Sequence, residues 1–164
     1  MSYINPLKKN KYLPIVLYLT IFLILGTIYF YYAITSTGYD DEFWNIGILE
    51  NTSWPNIVKL FFFDSFDIHP PLSYFADKFL FDLFKNWNYV RAFLAIILIF
   101  STLNLTLFIR EKKSDIHAIM FALIFLCNPA VLMWCTSLRW QTYFIIFFNW
   151  LLVVPQKKKD MVPL

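Results

Sequence analysis

The chain has 164 residues, of which 59% are hydrophobic, 21% are aromatic and only 15% are charged. A soluble domain of this length carries more charge and fewer aromatic side chains, whereas these values are typical of a protein with several membrane spans. Nine of the 14 basic residues stand in short clusters beside apolar runs, which is a placement that sets membrane orientation and is not typical of nucleic-acid binding. We therefore expect an all-α integral membrane protein with no nucleic-acid partner.

Four apolar runs are candidates for membrane-spanning helices, because a bilayer core needs about 20 apolar residues in a helix. The first run, from Tyr12 to Tyr39, holds 28 residues without a charge. A cleaved signal peptide has an apolar region of only about 7–15 residues, so we favour an uncleaved span. The third run is interrupted near its end by Asn128-Pro129. The predicted spans are about 13–34, 89–109, 116–136 and 138–154.

The segment 72–85 is apolar but carries charges that a membrane span would have to bury. Each of Asp77, Lys78 and Asp82 would cost roughly 2.5–3.5 kcal/mol at the middle of a bilayer. Wound as a helix, the charged residues share one half, namely Asp77, Lys78, Asp82 and Lys85. The other half carries Leu72, Phe75, Phe79, Leu80 and Leu83. This pattern predicts an amphipathic helix that lies on the membrane surface.

The distribution of basic residues predicts the orientation of the chain. With four spans and a surface helix at 72–85, the N-terminus, the turn 110–115 and the C-terminal lysines face one side and hold 9 of the 14 basic residues. The loop 35–88 faces the other side and holds eight of the 11 acidic residues. By the positive-inside rule both termini are cytoplasmic and the loop is extracytoplasmic. The sequence is rich in lysine, isoleucine, phenylalanine and asparagine, which is typical of proteins encoded by AT-rich bacterial genomes. We therefore expect the plasma (inner) membrane.

The extracytoplasmic loop is expected to form further short helices near the membrane. A helix over about 41–51 would follow the first span, and an aromatic-rich helix over 57–66 would start after Ser53 and Pro55. The His69-Pro70-Pro71 step ends any helix before it, so the surface helix begins at 72.

Three groups of polar residues are candidates for chemistry. Asp40, Asp41 and Glu42 follow the first span, where a carboxylate could accept a proton from a hydroxyl or bind a divalent metal. They could equally form an acidic loop that only obeys the positive-inside rule. His69 could be a proton shuttle, a metal ligand or a hydrogen-bonding loop residue. Arg139 could bind a phosphate or reach to the membrane interface as a structural cation.

The order of these motifs resembles the N-terminal part of the GT-C class of integral-membrane glycosyltransferases. The branch that it resembles contains protein O-mannosyltransferases and the aminoarabinose transferase of lipid A. The resemblance covers about 12–150 and rests on motifs whose order and spacing relative to the spans are similar. These motifs are Asp41-Glu42, His69-Pro70-Pro71-Leu72-Ser73-Tyr74, Arg91 in YVRAFLA, Asn128-Pro129 and Ser137-Leu138-Arg139.

The resemblance implies a specific activity and a set of site residues. Such enzymes move a sugar from a polyprenyl-phosphate carrier to a lipid, glycan or protein acceptor on the outer face, usually with inversion. Asp41 would be the general base or would position the acceptor, with Glu42 as its neighbour and Asp40 as the alternative base. The substrate-binding residues would be His69, Tyr74, Arg91 and Arg139. Some relatives use a divalent metal and others do not, so no cofactor is assigned.

Members of this class are several hundred residues long, so residues 1–164 are expected to be one membrane domain from the N-terminal part of a larger fold, with doubtful activity alone. Two other functions remain open. A non-catalytic membrane scaffold or subunit would use the acidic loop to bind a partner. A small transporter would need ionisable or broken-helix features at mid-membrane, for which the spans offer Asn104 and the Asn128-Pro129 break.

Overall fold

The structure is a computed structural model that describes residues 13–35, 40–63, 71–136 and 140–160, with side chains for 14–35, 46–59, 72–133 and 141–153. Every regular element in these ranges is an α-helix, as the composition predicts. The helices are α1 (Leu13–Thr35), α2 (Asp40–Asn51), α3 (Trp54–Phe63), α4 (Pro71–Phe84), α5 (Trp87–Lys112), α6 (Asp115–Leu126), α7 (Pro129–Thr136) and α8 (Trp140–Asp160).

Within the described ranges, two helices are long and apolar enough to span a membrane. They are α1, over Pro14–Thr35, and α5, over Trp87–Lys112. The start of α5 is fixed by Asn86, whose side chain accepts a hydrogen bond from the Asn88 N–H at 2.9 Å. Its last turn carries Arg110 and Lys112, where cations favour the negative end of the helix dipole. Both helices agree with the first and second predicted spans.

The third predicted span, 116–136, is divided in the structure into α6 and α7. Pro129 has no N–H group and cannot continue the hydrogen-bond ladder, so the chain turns at Cys127 and Asn128. The side chain of Asn128 then caps α7 by accepting from the Ala130 N–H at 2.9 Å. The hydroxyl of Tyr29 on α1 donates to the Leu126 carbonyl at 2.9 Å. A carbonyl that the break exposes is therefore satisfied by a neighbouring helix.

The long helices alternate in direction, and this alternation is visible in the contacts at one end of the bundle. Tyr18, near the start of α1, donates to the backbone carbonyl and the carboxylate of Asp115 at the start of α6, at 3.1 and 3.3 Å. Arg110, near the end of α5, donates to the same carboxylate at 2.7 Å. We call this end of the bundle the turn end. At the opposite end, the loop end, α2, α3 and α4 pack on the first turns of α5 and α8.

Small polar side chains lie in the interface between α5 and α8. The amide of Asn149 donates to the Ser101 hydroxyl at 3.2 Å, and the Thr106 hydroxyl returns to the backbone carbonyl of Thr102 at 2.8 Å. All four residues are buried. Helices that pack within a membrane commonly use small and polar residues in this way, since lipid gives no hydrophobic force between helices.

The surface of the bundle is apolar where a soluble protein would be polar. On α1 the exposed side chains include Leu19, Leu23, Ile24 and Tyr31, and on the other long helices Phe100, Ile124 and Phe147 are exposed. Such a continuous apolar surface needs a non-aqueous environment. Two helices of spanning length and this surface both indicate a membrane protein.

Candidate functional site

The three helices predicted for the loop are present and pack together at the loop end. Helix α2 begins at Asp40, α3 begins at Trp54 after the Ser53 that was expected to start it, and α4 begins at Pro71. The Ser53 carbonyl accepts the first N–H groups of α3, from Asn56 and Ile57, both at 3.0 Å. The start of α3 therefore agrees with the predicted start signal at Ser53 and Pro55, and the helix is described to Phe63.

The C-terminal end of α2 is fixed by contacts with α4 and α5. Lys78 on α4 donates its Nζ to the backbone carbonyl of Leu49 at 3.0 Å. This carbonyl belongs to the last turn of α2, where carbonyl groups lack a partner within the helix and favour a cation. Glu50 accepts a hydrogen bond from the indole Nε1 of Trp87, the first residue of α5, at 2.7 Å. These two contacts hold α2 against α4 and against the start of α5.

Helix α4 turns part of its charged half towards the protein. Asp77 and Lys78 are only 4% and 7% exposed, whereas Leu72, Phe79 and Leu83 are 72%, 59% and 62% exposed. The separation of charged and apolar halves was predicted correctly. The charged half, however, does not face water alone, because part of it makes the polar contacts that join the loop helices to the bundle.

Asp77 is connected across the bundle to α8. The hydroxyl of Tyr143, in the first turn of α8, donates to Oδ1 of Asp77 in a short hydrogen bond. The two residues are 66 positions apart in the sequence. Because Asp77 is buried, water cannot fully hydrate its carboxylate, and the Tyr143 hydroxyl supplies a hydrogen-bond donor in place of water.

Asp82, also on α4, is a second aspartate with several partners. Asp82 accepts hydrogen bonds from the indole of Trp54 at 2.9 Å and from Lys85 at 3.0 Å, and Lys78 lies 3.4 Å from its Oδ1. The hydrogen bond from Lys85, with the charge of Lys78 in addition, lowers the pKa of the Asp82 carboxyl below its usual range. Asp82 joins α3 to α4 at the loop end.

Arg91 and Tyr74 are the predicted site residues whose side chains the structure describes, and both lie at the loop end. Arg91 is 3% exposed and lies in the second turn of α5, where its Nη1 donates to Oδ1 of Asn88 at 2.8 Å. Tyr74 is half-buried and packs against an apolar cluster that includes Leu49 and Val90. Helix α4 thus brings Tyr74 to the turns of α5 that carry Arg91.

The remaining predicted site residues lie wholly or partly outside the described residues. The backbone of Asp40, Asp41 and Glu42 forms the first turn of α2, but their side chains are outside the description, as are His69 and Arg139. Among the side chains that are described, no group of three or more His, Cys, Asp and Glu residues is placed to hold a metal ion. The predicted roles of Asp41 and His69 in one site therefore stay predictions.

Further polar residues at the loop end were not predicted as site residues. Asp77 and Lys78 were expected on a surface helix, and Tyr143 was not expected to have a role. Gln141, two residues before Tyr143, has a buried Oε1 with no donor among the described residues. The charged residues on one half of α4 indicated that this half makes polar contacts. Their partner Tyr143 on α8 could not be inferred, because it lies too far away in the sequence.

Comparison with protein-family models, curated proteins and solved structures finds no match to this chain.

Proposed function

We propose that this chain forms part of a transferase of the GT-C type in the plasma (inner) membrane. In this proposal α1, α5, the α6–α7 pair and α8 cross the bilayer, with both termini cytoplasmic and the loop end extracytoplasmic. The reaction moves a sugar from a polyprenyl-phosphate carrier to a lipid, glycan or protein acceptor. Its support is the arrangement of the loop end together with the order of the sequence motifs.

The observation that carries the proposal is the burial of Arg91 at the loop end of a helix able to span the membrane. A buried guanidinium is costly at membrane depth and is characteristic of functional positions there. Its planar array of N–H groups suits two oxygens of one phosphate, and it stays charged at any physiological pH. A lipid-linked phosphate at the membrane surface would meet α5 at this height.

The position of α2 supports a role for its acidic first turn. The end of α2 is held on Trp87 by Glu50, and its start at Asp40 follows the end of α1 by only four intervening residues. Those residues can reach about 17 Å at most. The end of α1 lies beside the start of α5, because Ile34 and Tyr89 line the same cavity. The C-terminal end of α2 is thus held at the start of α5, and its N-terminal end lies within about 17 Å of the end of α1.

The proposed chemistry is a single displacement. The carboxylate of Asp41 accepts the proton of the acceptor hydroxyl while the hydroxyl oxygen forms the new bond to the anomeric carbon. The bond between that carbon and the carrier phosphate oxygen breaks, and its electron pair stays on the polyprenyl phosphate. Arg91 neutralises the phosphate as it leaves. Attack from the opposite face inverts the anomeric configuration. Asp40 is the alternative base, while Tyr74, His69 and Arg139 contact the substrates.

The test is sugar transfer by the full chain in proteoliposomes, with polyprenyl-phosphate donors that carry a radiolabelled pentose or hexose. Asp41→Asn should reduce transfer by about 10²–10⁴-fold, the range for removal of a general base. Glu50→Gln is the matched control on the same helix, because its amide oxygen can still accept from Trp87. Arg91→Gln should weaken use of the carrier, with Arg110→Gln at the turn end of α5 as its control.

The scaffold function makes the opposite prediction for the same experiment. Transfer is also measured in native membranes, where any further part of the enzyme is present. If Asp41→Asn supports as much transfer there as the wild type, the transferase proposal is wrong. A partner protein that is captured through the loop and lost in Asp41→Asn would then favour the scaffold.

A further inference from the structure

The seam between α1 and α5 contains a groove that the transferase reaction does not use. Two cavities follow the seam, with volumes of about 280 and 580 Å³. Phe30 and Ile96 line both cavities, so the two are adjacent along the seam, and we refer to them together as the groove. Gly26 lies in its wall: a Cβ atom there would stand 3.8 Å from Ile99, so the absent side chain is what opens this part of the groove.

The apolar part of the groove has the depth of one leaflet. Along α1 it runs from Phe22 to Ile34, which is about 18 Å at 1.5 Å per residue, and along α5 from Ala92 to Phe100, about 12 Å. The hydrocarbon of one leaflet is about 15 Å deep, half of a bilayer core of about 30 Å. The one hydroxyl in the wall, that of Thr27, donates to the Leu23 carbonyl of its own helix. The wall is therefore suited to a hydrocarbon chain.

The loop end of the groove is polar and offers hydrogen-bond donors. Asn86, Asn88 and Tyr89 line this end. The Oδ1 of Asn86 accepts from the Asn88 N–H, and the Oδ1 of Asn88 accepts from Arg91. Both amide oxygens are occupied, so the two Nδ2 groups remain to donate, and the structure describes no acceptor for either of them. Donor groups at this position suit the oxygens of a phosphodiester.

We propose that this groove binds a phospholipid of the extracytoplasmic leaflet. One acyl chain lies along the α1–α5 seam, and the phosphodiester is held by the amides of Asn86 and Asn88 and by Tyr89. The match to a single leaflet favours a phospholipid over a polyprenyl carrier, whose longer chain would extend beyond this depth. The proposal needs α1 and α5 to lie in the bilayer but does not depend on sugar transfer.

Two kinds of variant test the two parts of the groove. Thr27→Trp fills the apolar part, and Ile24→Trp adds the same bulk to an exposed position on α1 outside the groove. The double variant Asn86→Asp with Asn88→Asp alters the polar end. Aspartate keeps the cap of α5 and can still accept from Arg91, but it removes the donors and repels a phosphate.

The measurement is the amount of phospholipid retained per chain, by native mass spectrometry of the full chain after purification from a defined phospholipid mixture. The wild type and Ile24→Trp should retain one phospholipid, while Thr27→Trp and the double aspartate variant should each retain about tenfold less. A photoreactive acyl phospholipid should crosslink to α1 and α5. Since the aspartate variant keeps the packing of the groove, it remains informative if Thr27→Trp fails to fold.

Three outcomes would overturn the proposal. The first is equal retention of phospholipid by all variants. The second is displacement of phospholipid from the wild type by an equal mole fraction of polyprenyl phosphate, which would assign the groove to the carrier. The third is crosslinking of Thr27 to a protein segment in native membranes, which would assign it to a helix. Because the readout is binding, failure of sugar transfer would leave the result unaffected.

Discussion

The hydroxyl of Tyr143 on α8 donates to the carboxylate of Asp77 on α4, and this contact joins α4 to the bundle. Asp77 is buried although it lies on a helix that otherwise shows its apolar side to the surroundings. Together with Lys78 it turns the polar half of α4 into the layer that carries α2 and α3. The loop end is therefore assembled by polar contacts over an apolar bundle, which fits a surface that water reaches from one side.

Tyr143→Phe should destabilise the protein by about 1–3 kcal/mol, because it leaves the buried carboxylate of Asp77 without one of its donors. The measurement is the thermal unfolding of the purified chain in detergent. Tyr31→Phe is the matched control, since the Tyr31 side chain is exposed and its hydroxyl makes no described hydrogen bond with the protein. If the two variants unfold at the same temperature, the Tyr143–Asp77 contact does not stabilise the fold.

Lys78→Met should loosen the end of α2 without displacing α4. The methionine keeps most of the apolar stem but cannot donate to the Leu49 carbonyl. We expect faster hydrogen exchange of amides in α2, measured by mass spectrometry. Lys85→Met removes a lysine that also contacts Asp82 but is exposed, so it should leave exchange in α2 unchanged. Equal effects of the two variants would show that Lys78 acts only through Asp82.

The contacts of Asp82 predict a pH dependence of stability. Its pKa is lowered in the folded chain, chiefly by the hydrogen bond from Lys85, whereas an unperturbed aspartate titrates at about 3.9. A lowered pKa means that the stabilisation is present above the unfolded value and is lost as the pH falls through the folded value. The difference in Tm between the wild type and Asp82→Asn should therefore shrink between about pH 5 and pH 2. A constant difference across this range would contradict the assignment.

The sequence predicted the helices of the loop and the two longest helices because those features depend on local patterns. The charge-free run that includes α1, the apolar run of α5 and the separation of charged from apolar residues in 72–85 each act within one helix. The division of 116–136 into α6 and α7 was signalled by Asn128-Pro129, but the predicted span ran through it. How far a proline breaks a helix depends on whether neighbours satisfy the freed groups, and Tyr29 does so from α1.

The candidate site was predictable only in part, for the same physical reason. Arg91 was proposed from the family resemblance, through its place in the YVRAFLA motif, which is a feature of the local sequence. The burial of Asp77 and Lys78 could not be predicted, because it depends on Tyr143 and on the end of α2, which lie far away in sequence. An amphipathic pattern separates two faces of a helix, but it does not say whether the polar face meets water or protein.

Tyr29→Phe should weaken the junction between α6 and α7. The Leu126 carbonyl would lose the hydroxyl that satisfies it at the break, and an unsatisfied buried carbonyl costs about 1–3 kcal/mol. We expect a lower Tm in detergent and faster amide exchange at the start of α7. Tyr31→Phe is the control on the same helix, because the Tyr31 side chain is exposed. Unchanged exchange in α7 would mean that the break is satisfied in another way.

The orientation of the chain gives the last prediction, and it separates the four-span topology from a two-span one. Lys59 is exposed on α3 in the loop, and Glu111 is exposed near the end of α5 at the turn end. In a background with Cys127→Ser and Cys135→Ser, we introduce Lys59→Cys or Glu111→Cys and label intact cells with a membrane-impermeant maleimide. The basic residues of the turn should keep it cytoplasmic, so Lys59→Cys should be labelled at once and Glu111→Cys only after permeabilisation.

A third variant, Ser137→Cys, decides between two and four crossings, because residue 137 lies in the sequence between α7 and α8. If the α6–α7 pair and α8 both cross, this position lies on the side opposite Glu111. If neither crosses, it lies on the same side as Glu111. Labelling of Ser137→Cys in intact cells would establish the third and fourth crossings, and protection of it until permeabilisation would contradict them.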